Sequence, residues 1–297
     1  MNTKLLTWLK IHPLAAFFLL ACAISWAIEI PLALTVRGII RTGIPFSLHY
    51  LAGYGPMLAA IVMTGLAGGK TGLKGLFERI GKWRVKPVWW LVAMTPLGIY
   101  LLAGLFQWGQ LYGRLYKPGI LNMQDMFQWV ILGQWSALLN LGWVNFLPGL
   151  GFVALPMWVL TFGLGEEAGW RGYALPRLQK DRSPLSASLI LWILWAFWHL
   201  PLFFYSYSFS ILPGFLAGLL AGAITLTWLY NSTGGSILMV ALWHGAFNFV
   251  TACTECKSGT AAAVMSVVVI IWALLLVIYY LKLKPRGAEK EVLPTHP

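Results

Sequence analysis

Residues Leu185–Phe204 read LSASLILWILWAFWHLPLFF, a run whose one ionisable side chain is His199. About 20 predominantly apolar residues is the length an α-helix needs to cross the hydrocarbon of a bilayer. The run is therefore read as a membrane span, and it carries a histidine late in its course. Similar runs occur at Leu14–Val36, Leu48–Ala67, Val88–Tyr112, Ile211–Tyr230, Ser236–Ala252 and Thr260–Leu281. Across all 297 residues, 59% are apolar and 10% charged. Soluble chains carry about 25% charged residues, so an ordinary soluble enzyme is excluded. With this apolar content a disordered chain is excluded too, and the three cysteines, Cys22, Cys253 and Cys256, are too few to staple so long a chain.

The net charge of +12 comes from 21 Lys and Arg against nine Asp and Glu. Their positions argue against nucleic acid as a partner, because they crowd the segments between apolar runs, as membrane topology signals do. The stretch Met126–Leu164 is interrupted by Pro148 and Gly149. If it crosses once, the basic residues sort: all but Arg37, Arg41, Arg114, Lys117 and Lys257 fall on the cytoplasmic side. The expected architecture is an all-α polytopic bundle of about eight transmembrane helices with both termini cytoplasmic. Residues 1–297 form a single transmembrane domain, Met126–Leu147 is interfacial or re-entrant, and the motif-bearing core spans about 150–252. Lys4, Lys10 and the approach to Cys22 look like a secretion signal, but the apolar run continues past Cys22, so an uncleaved first span is expected. Gly214, Gly218 and Gly222 share a helix face and are expected to admit a close neighbour.

Ionisable groups on membrane spans are costly and mark candidate sites. Glu29, near the end of the first span and followed by Pro31, reads as a snorkelling or packing residue. Three other segments hold polar groups. In Gly165-Glu166-Glu167-Ala168-Gly169-Trp170-Arg171, Glu167 and Arg171 are four apart and share a helix face, so Arg171 can neutralise Glu167. Glu166 points about 100° away and lacks that partner. Low-dielectric surroundings bring a carboxylate's proton affinity into the range of a general base, whereas a water-facing helix end would leave the pair inert. His199 lies late in its span, where it suits packing as well as chemistry. His244 and Asn248 stand one turn apart on one face of another span.

These are the parts for hydrolysis of an amide by water. Glu166 with His199 can bind and deprotonate water, while His244 and Asn248 can donate to the oxyanion. The same atoms suit a divalent metal: Glu166, His199 and His244 make a plausible zinc site with an open position. The residues alone do not separate a cofactor-free site from a zinc site. The His-Glu-x-x-His and Gly-x-Ser-x-Gly motifs are both missing from the sequence.

Glu166-Glu167-x-x-x-Arg171, His199-Leu200-Pro201 and His244-x-x-x-Asn248 resemble, in order and spacing, the three motifs of the CAAX protease and bacteriocin-processing (CPBP) family of intramembrane glutamic endopeptidases. The run from Gly165 to Leu178 is similar to bacterial members. The resemblance implies an eight-helix bundle with a membrane-embedded site open to the cytoplasm, cleaving peptide bonds at the membrane as type II CAAX prenyl endopeptidases do. It makes Glu166 the water-activating residue, assisted by His199. It makes His244 and Asn248 the oxyanion hole, and Glu167 and Arg171 the support of the motif. The position four before the second-motif histidine, often phenylalanine in the family, is Trp195 here. The partners implied are the bilayer and a membrane-associated protein or peptide, lipidated or not, and the place implied is a bacterial inner membrane. At 1.5 Å per residue His244 lies about 12 Å into its span and His199 about 22 Å into its own, a mismatch that tilt or a bend must absorb.

Two other functions fit the same residues. A proton-coupled transporter would use buried Glu and His as a relay, and would be expected to show paired repeats and broken helices, which are not evident. A non-catalytic immunity protein would only bind its partner. Cys253-Thr254-Glu255-Cys256 lacks a second pair, which argues against structural zinc and leaves free thiols or a local disulfide.

Overall fold

The computed structural model describes residues 7–9, 11–41, 43–99, 102, 151–252 and 260–282. All regular structure among them is helical. Helix α1 (Pro13–Val36) runs through Cys22 without interruption. A 3-10 turn (Phe46–Leu48) and the short α2 (His49–Ala52) lead into α3 (Gly55–Ile80), followed by α4 (Pro87–Ala93). From α5 (Gly151–Trp158) the chain continues through a π-helical segment (Val159–Leu164), α6 (Gly165–Gly169), a second π-helical segment (Trp170–Ala174) and α7 (Leu175–Leu178). Then come α8 (Pro184–Trp198), α9 (Leu202–Tyr205), a 3-10 turn (Phe209–Ile211), α10 (Leu212–Ser232), α11 (Ile237–Ala252) and α12 (Thr260–Lys282).

Among the described residues five helical stretches are long and apolar enough to cross a membrane, and Ile237–Thr251 is a shorter apolar helix. The molecule is a polytopic helical membrane protein. Met126–Leu147, Cys253, Cys256, the later part of the run expected from Val88 to Tyr112 and both termini lie outside the described residues. Large apolar side chains such as Leu19, Val62, Ile193, Ile271, Leu274 and Leu275 are exposed, as befits surfaces that meet lipid. The polar groups turn inward: Ser25, Glu29, Glu166, Glu167, Arg171, His199 and His244 are all buried.

Two local expectations are corrected. The apolar run expected to end at Ala67 breaks close to that point, at Gly69, but a second helical stretch follows to Ile80, so Lys70, Lys74 and Arg79 ride on a helix rather than a loop. The path changes direction at Gly69 (φ 56°), a conformation that glycine takes without a Cβ penalty. The span expected from Leu185 to Phe204 is found as the apolar stretch Pro184–Tyr205; within it α8 ends at Trp198, ahead of Pro201, which has no amide hydrogen to carry the helix on, and the chain restarts as α9. Finally, nothing among the described residues approaches Gly214 or Gly218, and Gly222 makes only ordinary contact with Trp195.

Close helix approach is built elsewhere, around the motif-bearing segment. A Cβ on Gly165 would stand 2.6 Å from the Gly53 carbonyl oxygen, and one on Gly169 would overlap Pro56. On the other side, Gly163 meets the Ala241 carbonyl and Gly245 meets Val159. The segment 159–169 is thus pressed between α3 and α11 with backbones nearly touching, the packing that small residues permit in membranes.

A candidate active site

Glu166 and Glu167 sit on a single α-helical turn flanked by two π-helical segments. The second π-helical segment has a sequence cause. Pro176 cannot donate to the Gly172 carbonyl and its ring would clash with it, and a wider turn removes the clash. The Leu175 amide accordingly bonds Trp170, five residues back. Such distortions are frequent at functional positions because they re-aim side chains.

The ion pair expected within this motif forms: Arg171 donates to Glu167 Oε1 at 2.8 Å, both side chains fully buried. His244 Nδ1 lies 2.8 Å from the same oxygen. Glu167 therefore joins the first motif to the third. Arg171 is further matched by the face of Trp195, with its guanidinium carbon 4.6 Å from the ring centroid. Among the described residues its Nε and second terminal nitrogen have no hydrogen-bond partner, so the indole face is the remaining stabilising contact.

Glu166 takes a different partner. The Trp195 indole N–H donates to its Oε2 at 2.6 Å, and among the described residues Oε1 accepts no hydrogen bond. His199 caps the end of α8, where its Nδ1 is 2.7 Å from the Trp195 carbonyl oxygen. A carbonyl only accepts, so Nδ1 carries the proton and a neutral His199 presents Nε2 as an acceptor. The Trp195 ring also packs against His199 (centroids 5.7 Å apart) and edge-on against His244 (5.4 Å). The depth mismatch between the two histidines is absorbed, since both rings meet the same indole.

Trp195 is thus where the three motifs converge: its N–H holds Glu166, its carbonyl holds His199, and its faces hold Arg171 and His244. From the sequence it reads as an aromatic in place of another, next to the motif and suited to packing or to lining a substrate groove. The available signal was its register, one turn before His199 on the same face. Asn248 is half-buried one turn beyond His244 and makes no hydrogen bond among the described residues. Among those residues no group of three His, Cys, Asp or Glu side chains is placed to hold a metal ion.

A buried carboxylate with one oxygen engaged, a tautomer-fixed histidine and a carboxylate-paired histidine thus form a buried polar cluster around Trp195 in a helical membrane protein. Residues 147–250, which hold every one of these groups, match the family described as type II CAAX prenyl endopeptidase Rce1-like. Over 106 residues the chain is 33% identical to a protein of Methanococcus maripaludis named CAAX prenyl protease 2. The aligned stretch makes up 33% of this chain and 39% of that relative. Both similarities cover the motif-bearing part of the chain, where the three motifs resemble those of the CPBP family. The relative is archaeal and so bears on the family, not on a bacterial branch of it.

Proposed function

We propose that the protein is an intramembrane endopeptidase that hydrolyses a peptide bond of a membrane-associated protein, with Glu166 as general base. The observation that carries this reading is that Trp195 holds both groups, its indole N–H engaging one Glu166 oxygen and leaving the other free to accept from water, its carbonyl fixing the His199 tautomer. In the proposed step, water bound between Glu166 Oε1 and His199 Nε2 gives a proton to Glu166 and attacks the scissile carbonyl carbon. The carbonyl π electrons move to oxygen. As the tetrahedral intermediate collapses, the C–N bond breaks and Glu166 returns the proton to the leaving amine.

His244 and Asn248 are proposed as donors to the oxyanion. With Nδ1–H on Glu167, the His244 Nε2 can donate only when the ring is an imidazolium, and the Glu167 carboxylate is the counter-ion for that form. The name of the archaeal relative suggests a prenylated carboxy-terminal peptide as substrate. We place the protein in the cell membrane, with the site reached from the cytoplasmic side.

The test uses purified protein in liposomes and a fluorogenic peptide carrying a farnesylated cysteine four residues from its end. Cleavage between that cysteine and the next residue, lost in Glu166→Gln and unaffected by chelators, supports the reading. Full activity in Glu166→Gln refutes it. Activity abolished by chelators and restored by zinc transfers the role to the metal alternative.

A further inference from the structure

A buried carboxylate stands outside the segment shared with the family. Glu29 on α1 was read as a snorkelling or packing residue, yet it is only 1% exposed and its carboxylate is held inside the bundle. Its Oε1 accepts from the Tyr205 hydroxyl at 3.3 Å, and the same hydroxyl oxygen lies 2.8 Å from His49 Nδ1. Since the tyrosine proton goes to Glu29, His49 Nδ1–H donates to the tyrosine oxygen. Three elements, α1, α2 and α9, are joined by this chain of hydrogen bonds.

The network has a direction. Tyr205 ends α9, a four-residue helix that hangs from His199 by the Leu202 amide to His199 carbonyl bond of 3.1 Å. So short a helix has no stability of its own. It needs outside ties, and apart from His49 the side-chain hydrogen bonds that hold it and its approach among the described residues come from α1 or the residue after it. The Trp26 indole donates to the Trp198 carbonyl at 3.0 Å, and the Trp198 indole donates to Ser25 Oγ at 2.9 Å. Beyond the histidine, Arg37 Nε donates to the Phe204 carbonyl at 2.9 Å, and Glu29 holds Tyr205. Trp198 and Phe204 are at helix ends, where carbonyls have lost their intrahelical partners, so these ties fix the chain on both sides of His199. The first helix grips the residue before the histidine and the last turn after it.

We propose that Glu29, acting through Tyr205 and His49, is a positioning residue that sets where His199 stands in the site. This deepens the proposed function and rests on it only for the effect on turnover. An acceptor oxygen at position 29 is what the geometry requires. Glutamine supplies one and leucine does not.

Two readouts test it. In the liposome assay, Tyr205→Phe and Glu29→Leu should each lower kcat about tenfold, the equivalent of one hydrogen bond, with KM unchanged. Their double variant should fall no further, and Glu29→Gln should keep most of the activity. The second readout needs no turnover. In protein labelled with ¹⁵N-histidine, the His199 ring signals, assigned by their loss in His199→Gln, should move in Tyr205→Phe and Glu29→Leu and stay in Glu29→Gln. Unmoved His199 signals in Tyr205→Phe overturn the proposal, as does Glu29→Gln behaving like Glu29→Leu. If the wild type cleaves nothing while the signals move as stated, the positioning stands and the peptidase reading falls.

Discussion

Replacing Glu167 by glutamine separates the two tasks that its Oε1 performs. That oxygen lies 2.8 Å from Arg171 and 2.8 Å from His244, with Glu167 and Arg171 fully buried. The amide keeps the shape and an acceptor oxygen but removes the charge, leaving the Arg171 guanidinium buried without a counter-ion. Breaking a buried ion pair in this way costs about 3–5 kcal/mol. The Trp195 face under the guanidinium returns about 1–2 kcal/mol at most, and it is present before and after the change, so it does not reduce the loss. Glu167→Gln should therefore lower the unfolding free energy by about 3 kcal/mol or more, measured by denaturant titration in detergent. Adding Arg171→Met removes the orphan charge and should recover most of that stability, because apolar replacement of a buried pair is often neutral. It should not recover cleavage, since His244 still lacks the carboxylate that balances its imidazolium. Glu167→Gln as stable as wild type, or a double variant that cleaves normally, would refute this reasoning.

Other outcomes follow from the same geometry. Trp195→Phe keeps a ring against His244 and beneath Arg171 but deletes the N–H on Glu166. A hydrogen bond to a charged group contributes about 1.5–3 kcal/mol, so kcat should fall at least about tenfold with the fold intact, read from cleavage rates and thermal unfolding together. Asn248→Ala should leave stability within about 0.5 kcal/mol, since Asn248 has no hydrogen bond among the described residues, while lowering kcat about a hundredfold as one oxyanion donor is lost. Gly165→Val places a branched side chain where even a Cβ would be 2.6 Å from the Gly53 carbonyl, and the detergent-solubilised variant should elute as aggregate in size-exclusion chromatography.

The membrane architecture was legible because lipid imposes one rule on every span: backbone groups must bond within the helix and side chains must be apolar. Leu185–Phe204 obeys that rule for most of its length. The i,i+4 pair Glu167–Arg171 was legible for a similarly local reason, as was the shared face of His244 and Asn248. What escaped was set between helices. That Glu167 also reaches His244, 77 positions away, depends on the π-helical segment before α6 being pressed against α11 through Gly163 and Gly245. The role of Trp195 depends on a π-helical segment turning Glu166 toward α8, and no periodicity announces it. For Glu29 the packing half of the reading holds and the snorkelling half does not, because its burial depends on its partner Tyr205, 176 positions away in the chain. Small-residue spacing misled as well: among the described residues Gly214 and Gly218 have the pattern without the neighbour.

The central claim is that the Glu166 carboxylate activates water. It is tested most directly by the cleavage rate of Glu166→Gln in liposomes, measured beside wild type on protein whose unfolding temperature is unchanged. General-base catalysis contributes about 10²–10⁴-fold, so the account predicts a rate lowered by at least about a hundredfold. A folded Glu166→Gln protein that cleaves within about threefold of wild type would contradict it, because that factor is well below the hundredfold minimum for general-base catalysis.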